Sequence, residues 1–191
     1  MKRSDLEKDA AFILASMSER DYEIPTNKKI ISIIFGWLRY VYLIQVVFVL
    51  LSFLIYKESG DLDYQIQRIF YLFLLSTASM LFFTLVFIGA TYSNVCIFLI
   101  LSDDIKRESI LLRIAKEKVN FYNRLLFSVN SLIGCVLLWA GEPFVAALGF
   151  SWFVTFLLSA LFLQGSLSRY MTPAVVSSLS KVRELLSASP K

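Results

Sequence analysis

Hydrophobic positions along this chain fall in long unbroken blocks, not in short alternations. The blocks IFYLFLLSTASMLFFTLVFIGATYSNVCIFLIL (69–101) and LLFSVNSLIGCVLLWAG (125–141) contain no charge at all. Between them, DDIKRESILLRIAKEK (103–118) is charged at about every second position. A helix needs ~20 apolar residues to cross ~30 Å of hydrocarbon. The pattern therefore predicts an all-α membrane protein with four transmembrane helices arranged as two hairpins. The expected spans are about 36–56, 69–101, 125–139 and 151–168.

Within the first span, Val41–Ile55 carries twelve Val, Leu, Ile or Phe. At roughly −0.4 kcal/mol each they favour insertion by about −5 kcal/mol, against roughly +3 kcal/mol for one arginine at mid-helix. Arg39, near the start of that span, has two readings: a buried ion or lipid contact, or an interfacial anchor beside Trp37 and Tyr40. The second block is too long for one straight crossing and too short for two, so it predicts one tilted or broken helix with Gly89 as the bend. AGEPFVAALGF (140–150) predicts a tight reversal between spans three and four, its apolar part dipping into the interface. Trp139 and Trp152 would then anchor one membrane face.

Charge sets the expected orientation. All but two of the 19 Lys and Arg lie before or at the start of span one, between spans two and three, or after span four. The exceptions, Lys57 and Arg68, share their side with Glu58, Asp61, Asp63 and Glu142. Positive-inside bias then places both termini and the 102–124 loop in the cytoplasm, in a cell inner membrane. The chain divides into a cytoplasmic N-terminal amphipathic segment (1–29), a four-span domain (30–168) and a cytoplasmic C-terminal amphipathic helix (169–191). The polar first 29 residues predict no cleavable signal, leaving the first span as its own insertion signal.

Three amphipathic segments share the basic side. Ser4 and Glu7 have capping-box spacing, with Leu6, Ala10, Ile13, Leu14 and Met17 as a stripe behind them. Ser102 can cap a helix whose first turn holds Asp103 and Asp104. Thr172–Pro173 reads as N-cap and N1, followed by a seam of Val175, Leu179, Val182 and Leu186. These helices either lie on the bilayer surface or dock on a partner's cytoplasmic part.

Composition narrows the chemistry. The chain is 57% hydrophobic and 18% charged, against about 25% charge in a soluble domain. There is no histidine, which excludes His metal sites, His triads and His proton relays. Cys96 and Cys135 lie in apolar runs and read as reduced packing residues. No acid lies inside a hydrocarbon run, so ion-coupled transport or intramembrane hydrolysis lacks its usual groups. No Walker loop, GxSxG or metal motif appears, and Asp61 and Asp63 alone make a poor metal pair. No cofactor is expected, and the mixed cytoplasmic charge is no nucleic-acid footprint.

Small neutral residues do recur at helical spacing. Ala147, Ser151, Thr155 and Ser159 form a ridge in span four, and Ser128, Ser131, Gly134 and Cys135 a face in span three. Small residues let helices approach closely in lipid. The ridge therefore packs spans three and four together, or receives another protein's helix or a second copy. Asn130, Gln164 and Gln45 are amides that need partners in or near the membrane.

Three function classes fit: a non-enzymatic protein that binds another membrane component, a small oligomeric channel or transporter subunit, and, third, a membrane enzyme. The opening SDLEKDAAFILASMSERDYEIPTNKK followed by apolar hairpins resembles small plasmid-encoded conjugative exclusion proteins of the inner membrane. That resemblance, in size and layout, implies blocking of redundant DNA transfer by engaging a donor-side component. Colicin-immunity proteins have the same silhouette.

Overall fold

The computed structural model describes residues 2–19, 24–56 and 61–187, except the side chains at 19, 183 and 185–187. Helix is the only regular structure among them. The order is α1 (Arg3–Glu19), α2 (Asn27–Ile55), α3 (Leu62–Ile100), α4 (Asp103–Glu108), α5 (Ile110–Ala140), α6 (Glu142–Val145), α7 (Leu148–Ser168) and α8 (Pro173–Ser187). Four of these, α2, α3, α5 and α7, are long and apolar enough to cross a membrane. The chain is a multi-pass membrane protein by that measure.

Each long helix buries one stripe. On α2 the buried positions are Ile30, Ile34, Leu38, Val41, Gln45, Phe48 and Ser52, spaced by three and four residues as a helical face requires. Side-chain pairs fix the register. Tyr92 donates to Asn27 at 2.6 Å, Tyr42 bonds Thr84 at 2.8 Å and Gln45 donates to Ser76, so α2 and α3 run antiparallel. Trp37 donates to Asn123 at 2.6 Å while Phe48 lies against Gly134, so α2 and α5 run parallel. Phe83 meets Trp152 and Phe87 meets Phe156, which sets α7 parallel to α3. Aromatic rings fill the centre, with Trp37 stacked on Phe87 at 4.4 Å.

The α3 helix is unbroken through Gly89, and its exposed surface explains a block longer than a bilayer. From Phe70 to Leu85 the exposed residues are mostly large and apolar, Phe70, Phe73, Leu81, Phe82 and Leu85 among them, with Thr77 and Ala78 between. Beyond them the exposed positions are Gly89, Ala90, Ser93, Asn94 and Phe98, the last with Lys106 Nζ 5.0 Å from its ring centre, while Val95, Cys96 and Leu99 pack inward. Apart from Phe98, only about twenty residues from Ile69, or about 30 Å at 1.5 Å per residue, offer a lipid-like face. Most of the remainder is apolar because it packs on protein. Continuous neighbour contact on both sides of Gly89 holds it in one helix.

The amphipathic segments do not lie apart. Leu6, Ala10, Ile13 and Met17 of α1 pack with Leu101, Ile105, Leu111, Val175 and Val182 into a second core at one end of the bundle. The apolar faces expected to meet lipid or a partner are covered by one another. Val175 and Val182 are buried there, Leu179 is half-buried, and the side chain of Leu186 lies outside the described residues. The 102–124 segment is not an open loop: Ser102 caps α4, accepting from the Ile105 N–H at 3.4 Å, and α5 already begins at Ile110.

Capping of α1 differs from expectation. The helix begins at Arg3, so Ser4 is inside it, and the Lys2 N–H donates to Asp5 at 3.0 Å. Glu7 instead takes a 2.7 Å bond from Arg3 and one from Thr172 at 3.3 Å. The Arg3 bond holds the Glu7 carboxyl below its ordinary range. Asp9 does more. It accepts from Ser109 Oγ at 2.9 Å and from the N–H groups of Ile110 and Leu111 at 3.1 and 2.8 Å. A buried carboxylate on the first turn of α5 satisfies helix-end donors and meets the positive end of its dipole. This ties α1 to the start of α5.

Candidate functional site

The polar side chains of the interior form a seam running down the bundle. At the end away from α1, α5 terminates at Ala140 and Gly141 takes φ +136°, a conformation that favours glycine. This turn sends the chain straight back beside α5. Glu142 then meets Arg68 of α3 in a half-buried ion pair, and the Arg68 guanidinium also donates to the Tyr56 carbonyl. The Tyr56 hydroxyl donates to the Leu138 carbonyl at 2.6 Å. One cluster thus fastens the ends of α2, α3 and α5 to the returning chain.

The returning segment does not stay at the surface. Val145, Ala146 and Leu148 are buried, and α7 starts beside the midpoints of α2 and α3. Past Gln45, α2 continues for ten more residues to Ile55, so α7 begins about 15 Å below the end of α2. Between them, α6 and two turn residues take the place of a regular helix. A helix break at that depth frees backbone carbonyls that cannot reach water. Two side chains answer them: Gln45 Nε2 donates to Val145 O at 3.3 Å, and Ser79 Oγ donates to Ala146 O at 2.7 Å. Ser76 completes the layer by accepting from Gln45. Gly149 sits so close that an added Cβ would lie 2.5 Å from the Ser79 backbone.

One turn further along, Asn130 joins α5 to α7. Its Nδ2 donates to Thr155 Oγ1 at 2.7 Å and its Oδ1 accepts from Ser151 at 2.8 Å. The ridge Ala147, Ser151, Thr155 and Ser159 is half-buried, and two of its members close on Asn130. The expected span-three face divides: Gly134 faces Phe48 of α2, whereas Ser128 and Cys135 are exposed. Gln45 does not partner Asn130, and Gln164 is exposed.

Trp152 does not sit at a membrane surface: it is fully buried among Trp37, Phe83 and Phe127. Trp37 is likewise half-buried in that aromatic cluster. Only Trp139, at 86% exposed, and Arg39, exposed with its guanidinium 5.1 Å from the Tyr40 ring centre, keep the geometry of interfacial anchors.

Chemically, the seam holds helices. It offers no nucleophile beside a base, and among the described residues no cluster of acids or cysteines could hold a metal. Asp61 caps α3 through the Leu62 N–H at 2.7 Å. Both cysteines are free thiols.

No family model, curated protein or solved structure matches this chain. Three features escaped sequence reading: the Arg68–Glu142 pair, the clasp on the α6–α7 break, and Asp9. The signal for the first was present, since two opposite charges each flanked an apolar block, but nothing local said that they meet. The other two rest on partners 67 to 102 positions away.

Proposed function

We propose a non-enzymatic multi-pass inner-membrane protein that binds another membrane component. Both termini and the end carrying α1, α4 and α8 are cytoplasmic, and α2–α3 and α5–α7 form two membrane hairpins. The carrying observation is that most interior polar side chains are spent on structure: Asn130, Ser151, Thr155 and Ser79 all bond across helices or to freed carbonyls. What remains to act is the outer surface. Aromatic and aliphatic side chains crowd the first half of α3, where Phe70, Tyr71 and Phe73 are exposed. A partner in the same membrane suits that surface better than a soluble one. The resemblance in layout to conjugative exclusion proteins makes a donor-side conjugation component the specific candidate.

A photo-crosslinking amino acid at Phe70 or Phe73, with the chain in its native membrane, tests the binding reading. A single discrete protein adduct is expected; lipid adducts alone at both positions would contradict it. For exclusion itself, recipient cells expressing the chain should receive conjugative plasmid less often than cells without it. Unchanged transfer across plasmid types would remove that role.

A second reading, a small oligomeric channel or transporter subunit, is favoured by one observation: a broken helix at mid-depth, where many transporters place their sites. Liposomes carrying the purified chain should then conduct, with the flux altered by Asn130→Leu. The closed aromatic cluster around Trp152 favours silent liposomes.

A further inference from the structure

Three polar atoms along the seam are sealed from the surface without a hydrogen-bond partner among the described residues: Glu142 Oε1, Gln45 Oε1 and Trp152 Nε1. Gln45 is only 4% exposed and Trp152 fully buried. Leaving such a group unmet is costly, so buried polar groups normally have a partner.

The three lie at successive depths. Glu142 is level with Tyr56 through their shared partner Arg68, while Gln45 is eleven residues down α2 from Tyr56. Trp152 meets Trp37, a further eight residues along α2. All three flank the same stretch of backbone, α6 and the first turns of α7.

Their chemistry selects the occupant. Glu142 Oε1 and Gln45 Oε1 accept hydrogen bonds only, whereas the indole N–H of Trp152 only donates. An ammonium group or a metal ion would serve the two oxygens and not the indole; an anion would serve the indole alone. Separate small molecules that both donate and accept, one at each depth, serve all three. Flipping the Gln45 amide would set its oxygen against Val145 O and lose that bond, so the orientation is fixed by its neighbours.

We infer that the α6–α7 break is an internal hydration site, with ordered water bound at Gln45 Oε1, Glu142 Oε1 and Trp152 Nε1. The water completes the clasp that the protein side chains begin. It keeps a non-helical segment stable at a depth where bulk solvent is absent. The aromatic rings of Trp37, Phe83 and Phe127 close the seam beyond Trp152, so the site ends there and is not a through-path.

Pulsed X-ray hydroxyl-radical labelling of the full chain in lipid nanodiscs, read by mass spectrometry, tests this. Radicals formed from bound water mark the side chains beside it. Trp152 should be oxidised despite its burial, Phe83 should stay unmodified, and Gln45→Leu should reduce oxidation at Val145 while the helical signal is unchanged. An unmodified Trp152 alongside a modified Trp139 would show a dry site and overturn the inference. Equal labelling of Trp152, Phe83 and Leu148 would show a loosened bundle and overturn it as well.

Discussion

At the scale of single residues, two glycines and one aspartate hold positions that no neighbouring type can fill. A Cβ at Gly149 would meet the Ser79 backbone at 2.5 Å, and one at Gly134 would meet the Phe48 ring at 2.4 Å. A ring can turn aside, but a helix backbone moves only with its helix. Gly149→Ala should therefore destabilise more than Gly134→Ala, which should cost about 1–3 kcal/mol as ordinary overpacking does. Unfolding midpoints of both variants in one detergent would check the order. Asp9→Ala strands three donors at the start of α5 and should cost about 2 kcal/mol, seen as faster proteolysis between α1 and α2. Glu7 adds a pH dependence. Its carboxyl is held low by Arg3, so its contribution is present at neutral pH and above, and fades as pH falls through its lowered value. Acid should release α1 from α8 less sharply in Glu7→Gln than in the native chain.

At the scale of elements, the four long helices were legible because an apolar block of bilayer length has few other uses. Helix ends were less so. The helix expected after Ser102 is present as α4, but the rest of the stretch, read as a connecting loop up to 124, is from Ile110 onward the first turns of α5, with Arg113, Lys116 and Arg124 exposed. The reversal at 140–150 read as a tight turn whose apolar part dips no deeper than the interface. It descends instead, because Gly141 allows the return and because Gln45 and Ser79, far off in sequence, satisfy the carbonyls exposed on the way. Trp152 was misplaced for the same reason: once α7 starts at mid-depth, its fifth residue is in the core and not at the rim. The Arg68–Glu142 pair anchors this descent. Arg68→Met alone should cost about 3 kcal/mol by stranding a half-buried carboxylate, and adding Glu142→Gln should restore much of it. A thermal-shift series on the two single variants and the double would resolve that coupling.

At the scale of the whole molecule there are two cores. One is an aromatic bundle among the four apolar helices; the other is a small cap of α1, α4, α8 and the start of α5, facing inward on itself, which the proposed orientation puts in the cytoplasm. The small-residue ridge and the C-terminal seam read as packing or contact faces; Val175 and Val182 are buried, the ridge and Leu179 half-buried, and the Leu186 side chain lies outside the described residues. What they pack against was not legible, since the period of a stripe says only that it is covered. Among the described residues, nearly all the basic ones lie toward the capped end, and the proposed function requires that end to be inside the cell. The most direct test is sided cysteine labelling in intact cells, with Cys96 and Cys135 replaced by serine. Single cysteines at Ser4, Glu108 and Ser180, all exposed at the capped end, should be protected from a membrane-impermeant maleimide until the cells are opened. A cysteine at Asp63, exposed at the start of α3, should react at once. Labelling of Glu108→Cys in unopened cells, or protection at Asp63→Cys, would contradict the four-crossing, basic-end-inside arrangement on which the account stands.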